Sequence, residues 1–193
     1  MALVKGTNCG FVLAAPGPDP TVNPMVLDGS AWAVKDTAPA GAVKITEIGW
    51  WCANNTEEAN FEVAIYDHNV GDNNPEAVVG IDQVNAKGTT GGWKRVTGLN
   101  IAITPATIYW IALQVDQTAT ATDGDRAAGV GEKFDLKTAQ AALPDPWGAS
   151  TSTFEQLAGI YAVYETEAVA ADDRYGAIRQ QSCRGTDVPG IYP

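Results

Sequence analysis

The residues that could do chemistry are few. The chain has one histidine, His68, in a polar stretch that runs His-Asn-Val-Gly-Asp-Asn-Asn. With Asp67 and Asp72 nearby, an imidazole is a chemically reasonable metal ligand or general base. A hydrolase also needs a nucleophile on a motif such as G-x-S-x-G, and the sequence contains none. His68 therefore reads as a solvated turn residue. Asp67, Asp72, Asn73 and Asn74 gather oxygens in one stretch, and calcium takes six to eight oxygen ligands. Asp67, Asp72 and Asn74 are thus candidate calcium ligands, without the spacing of an EF-hand or its closing glutamate. Asp123 and Asp125 form a second, thinner acidic cluster. The competing reading of both clusters is Asx-turn chemistry, in which side chains cap their own backbone. Glu47, Glu58 and Glu62 raise the possibility of a glycosidase, which needs two carboxylates at a set separation across a cleft. Spacing in sequence does not supply that separation, so the expectation is a protein that is not an enzyme.

The aromatic residues carry more. The chain holds six tryptophans. Trp50 and Trp51 are adjacent, so on a strand they point to opposite faces. Trp110 falls on the face opposite Tyr109 and Ile111. Outward rings of this kind pack under a loop, anchor a protein partner, or stack on a sugar. Trp51 and Trp110 are accordingly candidate contact residues.

The elements that must hold these residues are β-strands. Residues 107–115 alternate strictly, with Tyr109, Ile111, Leu113 and Val115 on one face and Trp110, Ala112 and Gln114 on the other. Pro105 suits the turn at 104–106 that precedes them. Residues 60–67 alternate in the same way, with Phe61, Val63 and Ile65 inward. Further strands are expected at 9–14, 31–36, 43–52, 77–85, 93–96, 99–103 and 159–165, with those at 93–96 and 99–103 readable as one strand bent at Gly98. A weak strand is expected near 126–130 and a short helical turn at 133–142. Loops are expected at 68–76 and 117–131, and a rigid turn at 143–147. About eight strands without a long helix predict an all-β fold, an antiparallel β-sandwich whose apolar faces cover each other.

Three regions follow: an N-terminal arm at 1–29, a sandwich at 30–165 and a C-terminal arm at 166–193. Pro16, Pro18, Pro20 and Pro24 hold the first arm extended. Its apolar anchors include Phe11, Leu13, Met25 and Leu27, and those of the second arm include Tyr175, Ile191 and Tyr192. Neither arm can build a core alone, so both are expected to dock on neighbouring copies. An arm of that kind is removable without unfolding the sandwich.

Composition bounds the partners. Twelve basic against 23 acidic residues give a net charge of −11, which disfavours nucleic acid and anionic membranes. Apolar residues make up 45% of the chain, enough for a core, and the apolar runs are too short for a membrane span. Cys9, Cys52 and Cys183 form no C-x-x-C pair, and one disulfide with a spare thiol and three buried thiols are both compatible with them. Asn54-Asn55-Thr56 matches the N-glycosylation acceptor pattern in an expected turn. The N-terminus lacks the continuous apolar stretch of an export signal.

The order of segments ITEIGWW, FEVAIYD, an Asn/Asp/Gly/Pro loop, GWKRVTGLNIAIT, TIYWIAL, LPDPW and IYAVYE resembles the jelly-roll β-sandwich domains of bacterial extracellular surface proteins and of bacteriophage virion proteins. The resemblance spans residues 30–165. It implies jelly-roll winding and a non-enzymatic structural role, as a virion component (decoration, tail or fibre protein) or an extracellular filament subunit. The implied partners are copies of the chain itself and other virion or surface proteins. The alternative it implies is a carbohydrate-binding module with an exposed platform of coplanar aromatic rings for glycans.

Overall fold

A computed structural model describes residues 1–20, 23–53, 57–120, 122–129 and 131–167. In chain order the strands are β1 (Gly10–Val12), β2 (Asn23–Val26), β3 (Ser30–Thr37), β4 (Ala42–Cys52), β5 (Asn60–Asn69), β6 (Asn74–Ala86), β7 (Gly92–Ala102), β8 (Ile108–Val115), β9 (Asp123–Ala128), β10 (Phe134–Thr138), β11 (Ser152–Phe154), β12 (Gln156–Ala158) and β13 (Ile160–Thr166). They form two sheets packed as a β-sandwich. The first contains β1, β13, β4, β9 and β12 in that order, with β7 paired to β4 and β2 to β9. Its pairing is antiparallel except between β1 and β13. The second runs β11-β10-β3-β8-β5-β6 and is antiparallel throughout.

The alternation in β5 and β8 does what it predicts. Phe61, Val63, Ile65, Tyr109, Ile111, Leu113 and Val115 enter the core between the sheets, where they meet Ile45, Ile48 and Trp50 of β4. β8 lies between β3 and β5, which pair with it on both sides over residues 109–115, and both its faces are buried. The opposite residues, Trp110 and Ala112, join a smaller cluster on the outer face of the second sheet. Trp50 packs edge-on against Phe61 at 5.6 Å between ring centroids, inside the core.

Four expectations are corrected. Residues 134–138 form a strand rather than a helical turn, because Phe134 and Leu136 alternate into the core and the backbone pairs with β3 on one side and β11 on the other. The loop expected at 68–76 shrinks to the turn at 70–73, since His68 pairs with Pro75 and Asn69 with Asn74. Pro75 is tolerated there because β6 is an edge strand. The weak strand near 126–130 is β9, displaced to Asp123–Ala128. The strand count exceeds eight because β2, β11 and β12 are short and carry little apolar alternation, and β10 is only five residues long.

The N-terminal residues expected to form an arm pair within this sandwich. Gly10–Val12 add in parallel to β13, and Asn23–Val26 add to β9. Phe11 and Leu27, expected to contact a partner, sit in the core of their own domain at 2% and 0% exposure. Burial of large apolar side chains in an available core outweighs extension toward another chain. Removing residues 1–29 would therefore open the core rather than leave it intact. The expected C-terminal contacts Tyr175, Ile191 and Tyr192 lie outside the described residues, as do Cys183 and Asn54. Cys9 and Cys52 are both buried.

Candidate functional site

Two outer faces and one segment hold the candidate residues. On the outer face of the second sheet, Ala31, Ala33, Ala64 and Ala112 make a shallow floor flanked by Tyr66 and Trp110. Residues 140–150, which have no strand of their own, cover that floor. Trp147 is fully buried and meets Tyr66 edge-on at 5.3 Å. Side chains from the sheet hold this cover by its backbone. Gln114 donates to the Gln140 carbonyl at 3.0 Å, Glu62 accepts from the Leu143 amide at 2.7 Å, and the Tyr66 hydroxyl donates to the Pro144 carbonyl at 2.6 Å. Asn74 donates to the Gly148 carbonyl at 3.0 Å, and Lys137 to the Trp147 carbonyl. A polar chain closes the arrangement: the Trp147 indole donates to Ser150, whose hydroxyl donates to the buried carboxylate of Asp135 at 2.8 Å. Burial pushes the Asp135 carboxyl up, against the opposing pull of Ser150 and Lys133.

Trp110 is thus not a contact residue for a partner; it is fully buried under its own chain. Its indole donates to His68 Nδ1 at 3.1 Å, and the Lys133 ammonium lies 6.0 Å from its ring centroid. His68 is the last but one residue of β5, partly buried, with Nδ1 as acceptor. Desolvation lowers its pKa from 6.5, reinforced by the charges of Lys35 and Lys133 and opposed by Glu76. A base with a depressed folded pKa stabilises the fold fully above its unfolded value, and that contribution is lost as pH falls through the folded value. Because the chain has one histidine, a proton NMR titration reads it alone. A midpoint below 6.5 is the expected result, and a midpoint above that value would contradict the bond to Trp110.

The candidate calcium ligands are only partly brought together. Asp72 and Asn74 line one open cleft of about 520 Å³ with Pro75, Pro146 and Ser150, and Asp67 does not line it. Asn69 Oδ1 accepts from the amides of Gly71 and Asp72 at 2.9 and 3.2 Å, which is the Asx-turn reading. The Lys35 ammonium donates to Asn73 Oδ1 at 3.0 Å, and that of Lys133 to the Asn73 carbonyl. Two ammonium groups at the turn oppose a divalent cation. Among the described residues, no three His, Cys, Asp or Glu side chains group so as to hold a metal. Of the second cluster, Asp125 is buried and Asp123 has its carboxyl pushed up by burial and by Asp28.

The three glutamates serve separate structural contacts. Glu58 accepts from the amides of Gly88 and Ala59, Glu62 from Leu143 and Gln83, and Glu47 from the Tyr161 hydroxyl.

The outer face of the first sheet carries the remaining aromatics. β4 presents Glu47, Gly49 and Trp51, opposite Thr97, Arg95 and Trp93 of β7. Trp93 is edge-on to both Trp51 (5.4 Å, 74°) and Tyr161 (5.2 Å, 74°). Gly49 is required here, since a Cβ would lie 2.5 Å from the Tyr161 ring. Steeply crossed rings do not offer the coplanar platform expected of a sugar-binding module. The proline-rich segment lies along this face instead: the Trp93 indole donates to the Pro18 carbonyl at 3.3 Å, and Arg95 donates to the Pro16 carbonyl. Trp93 and Arg95 share this face because they stand two residues apart on β7, and the sequence analysis did not single them out.

Of the remaining candidates, Leu13 is 70% exposed and Met25 is half-buried against the core. No protein-family model matches the chain, and no curated protein matches it.

Proposed function

We propose that this chain is a non-enzymatic structural subunit that self-assembles at a virion or extracellular surface, with its sandwich wound as a jelly roll. The observation that carries the reading is where apolar surface is left uncovered. Among the described residues, the exposed large apolar side chains are Met1, Val4, Leu13, Val26, Val70, Ile81 and Val84. The first four belong to the N-terminal region and the last two to the edge strand β6. Leu13 stays 70% exposed directly beside Phe11 and Val12, which the same segment buries. Apolar residues gathered at a terminal segment and a sheet edge suit contact with another copy. The net charge of −11 keeps such a subunit soluble before assembly. Other virion or surface proteins are the further partners this reading implies.

The double variant Val4→Asp, Leu13→Asp tests it. Both side chains are exposed, so stability is expected within about 0.5 kcal/mol of the parent. Light scattering over a concentration series is expected to show multimers for the parent and a marked loss of them for the variant. Equal masses for the two at every concentration would remove the N-terminal region from the assembly surface.

A further inference from the structure

Two lysines stand side by side on the outer face of the second sheet. The Lys35 amide donates to the Lys133 carbonyl at 2.9 Å, which sets the two residues opposite each other where β3 meets the start of β10. Trp110 is opposite Lys35 on the other side, and the Lys133 ammonium reaches toward its ring. Like charges directly opposite each other destabilise a sheet. The pair is kept in a chain where acidic residues outnumber basic ones, 23 to 12. Burial, and then the charges of Lys133 and Lys5, lower the pKa of Lys35.

No carboxylate in close contact neutralises the pair. Among the described residues, Lys35 forms no ion pair and donates to Asn73 Oδ1 at 3.0 Å. Lys133 donates to the Asn73 carbonyl and stands 4.0 Å from Asp135 Oδ1. Asp135 is wholly buried, and burial pushes its carboxyl up, which weakens it as a counter-charge. Lys5, by contrast, is matched by Asp36 at 3.0 Å and Glu132 at 2.6 Å. Lys35 and Lys133 border an open cleft of about 310 Å³ with Asn73, Glu132, Thr153 and Glu155. Since Glu132 is held by Lys5, two ammonium groups face the one remaining carboxylate of the lining, Glu155. That balance leaves a place for one negative charge.

We propose that this cleft binds a small monocarboxylate with hydroxyl groups on its body, the acid group lying between Lys35 and Lys133. An ammonium has three hydrogens, and each lysine commits one to Asn73, so donors are left for a ligand. Bonds between two charged groups are the stronger kind. The Thr153 hydroxyl and the Glu155 carboxylate are suited to the ligand's hydroxyls. The volume is at the lower end for small-molecule sites and suits one sugar-sized ring. The two charges that oppose calcium at this turn are those an anion requires. The site stands whether or not the chain self-assembles.

His68 reports on the site, because desolvation and then the charges of Lys35 and Lys133 lower its pKa. The full chain is titrated with glucuronate while the His68 ring protons are followed by NMR across pH, with glucose and sodium chloride as controls. Bound glucuronate offsets the two ammonium charges, so the His68 midpoint is expected to rise and to saturate. Glucose is expected to leave it in place, and sodium chloride to move it less and without saturation. In the double variant Lys35→Gln, Lys133→Gln, affinity is expected to fall more than about tenfold, the loss that goes with a hydrogen bond to a charged group. Lys44→Gln, which removes a lysine paired with Glu165, is expected to respond as the parent does. Equal responses of the parent to glucuronate and to sodium chloride would overturn the proposal, and so would an unchanged response in the double variant. The first comparison uses the parent alone, so it decides even where the double variant loses the turn.

Discussion

Replacing Trp147 with alanine is expected to destabilise the protein by about 3–5 kcal/mol, the range for a large buried aromatic. The ring is wholly buried over a floor of alanines, and nothing nearby can collapse into the space it leaves. The change also strips Ser150 of the indole donor at 3.1 Å, in the chain that ends on Oδ2 of the buried Asp135 carboxylate. The conservative Trp147→Phe keeps most of the packing and loses the hydrogen bond, for about 1 kcal/mol. Urea titration of both variants measures the difference. A cost for the alanine variant under about 1 kcal/mol would mean that residues 140–150 cover the second sheet only loosely.

Phe11→Ala is expected to cost about 3–5 kcal/mol as well. Phe11 is 2% exposed in the main core, and its amide is held by Asp36 at 2.9 Å. The result separates two pictures of the N-terminal region. A segment lying loosely outside the sandwich would lose under about 0.5 kcal/mol. A segment that completes the sandwich loses the full amount. Val4→Asp, Leu13→Asp changes the mass with little change in stability, so the two variants probe different sides of one segment.

What could be read from the sequence was what is local. The inward faces of β5 and β8 follow from period-two alternation, because both strands are central and their two faces are buried by different partners. Trp50 and Trp51 divide between core and outer face for the same reason. The sandwich class followed from the number and spacing of such strands. Residues 134–138 were hard to read as a strand because their alternation lasts only five residues, and the partners of the polar face, Ser150 for Asp135 and Trp147 for Lys137, lie outside it. The cover over Trp110 was invisible for a related reason: its staples span from Glu62 to Leu143 and from Tyr66 to Pro144. The partners of the acidic cluster residues were not legible either: Glu47, Glu58, Glu62 and Asn73 are engaged by Tyr161, Gly88, Leu143 and Lys35, all but Lys35 and Gly88 more than 80 residues away in sequence. For the N-terminal region, the sequence marked Phe11 and Leu27 as anchors. Which surface receives them depends on β13 and β9, which lie far along the chain.

Electron microscopy of the purified full chain over a concentration series tests the central claim most directly. A structural subunit is expected to give particles or fibres with a regular repeat, and to give fewer of them with Val4→Asp, Leu13→Asp. A field of single sandwiches at the highest concentration, with Leu13 still in water, would contradict the claim.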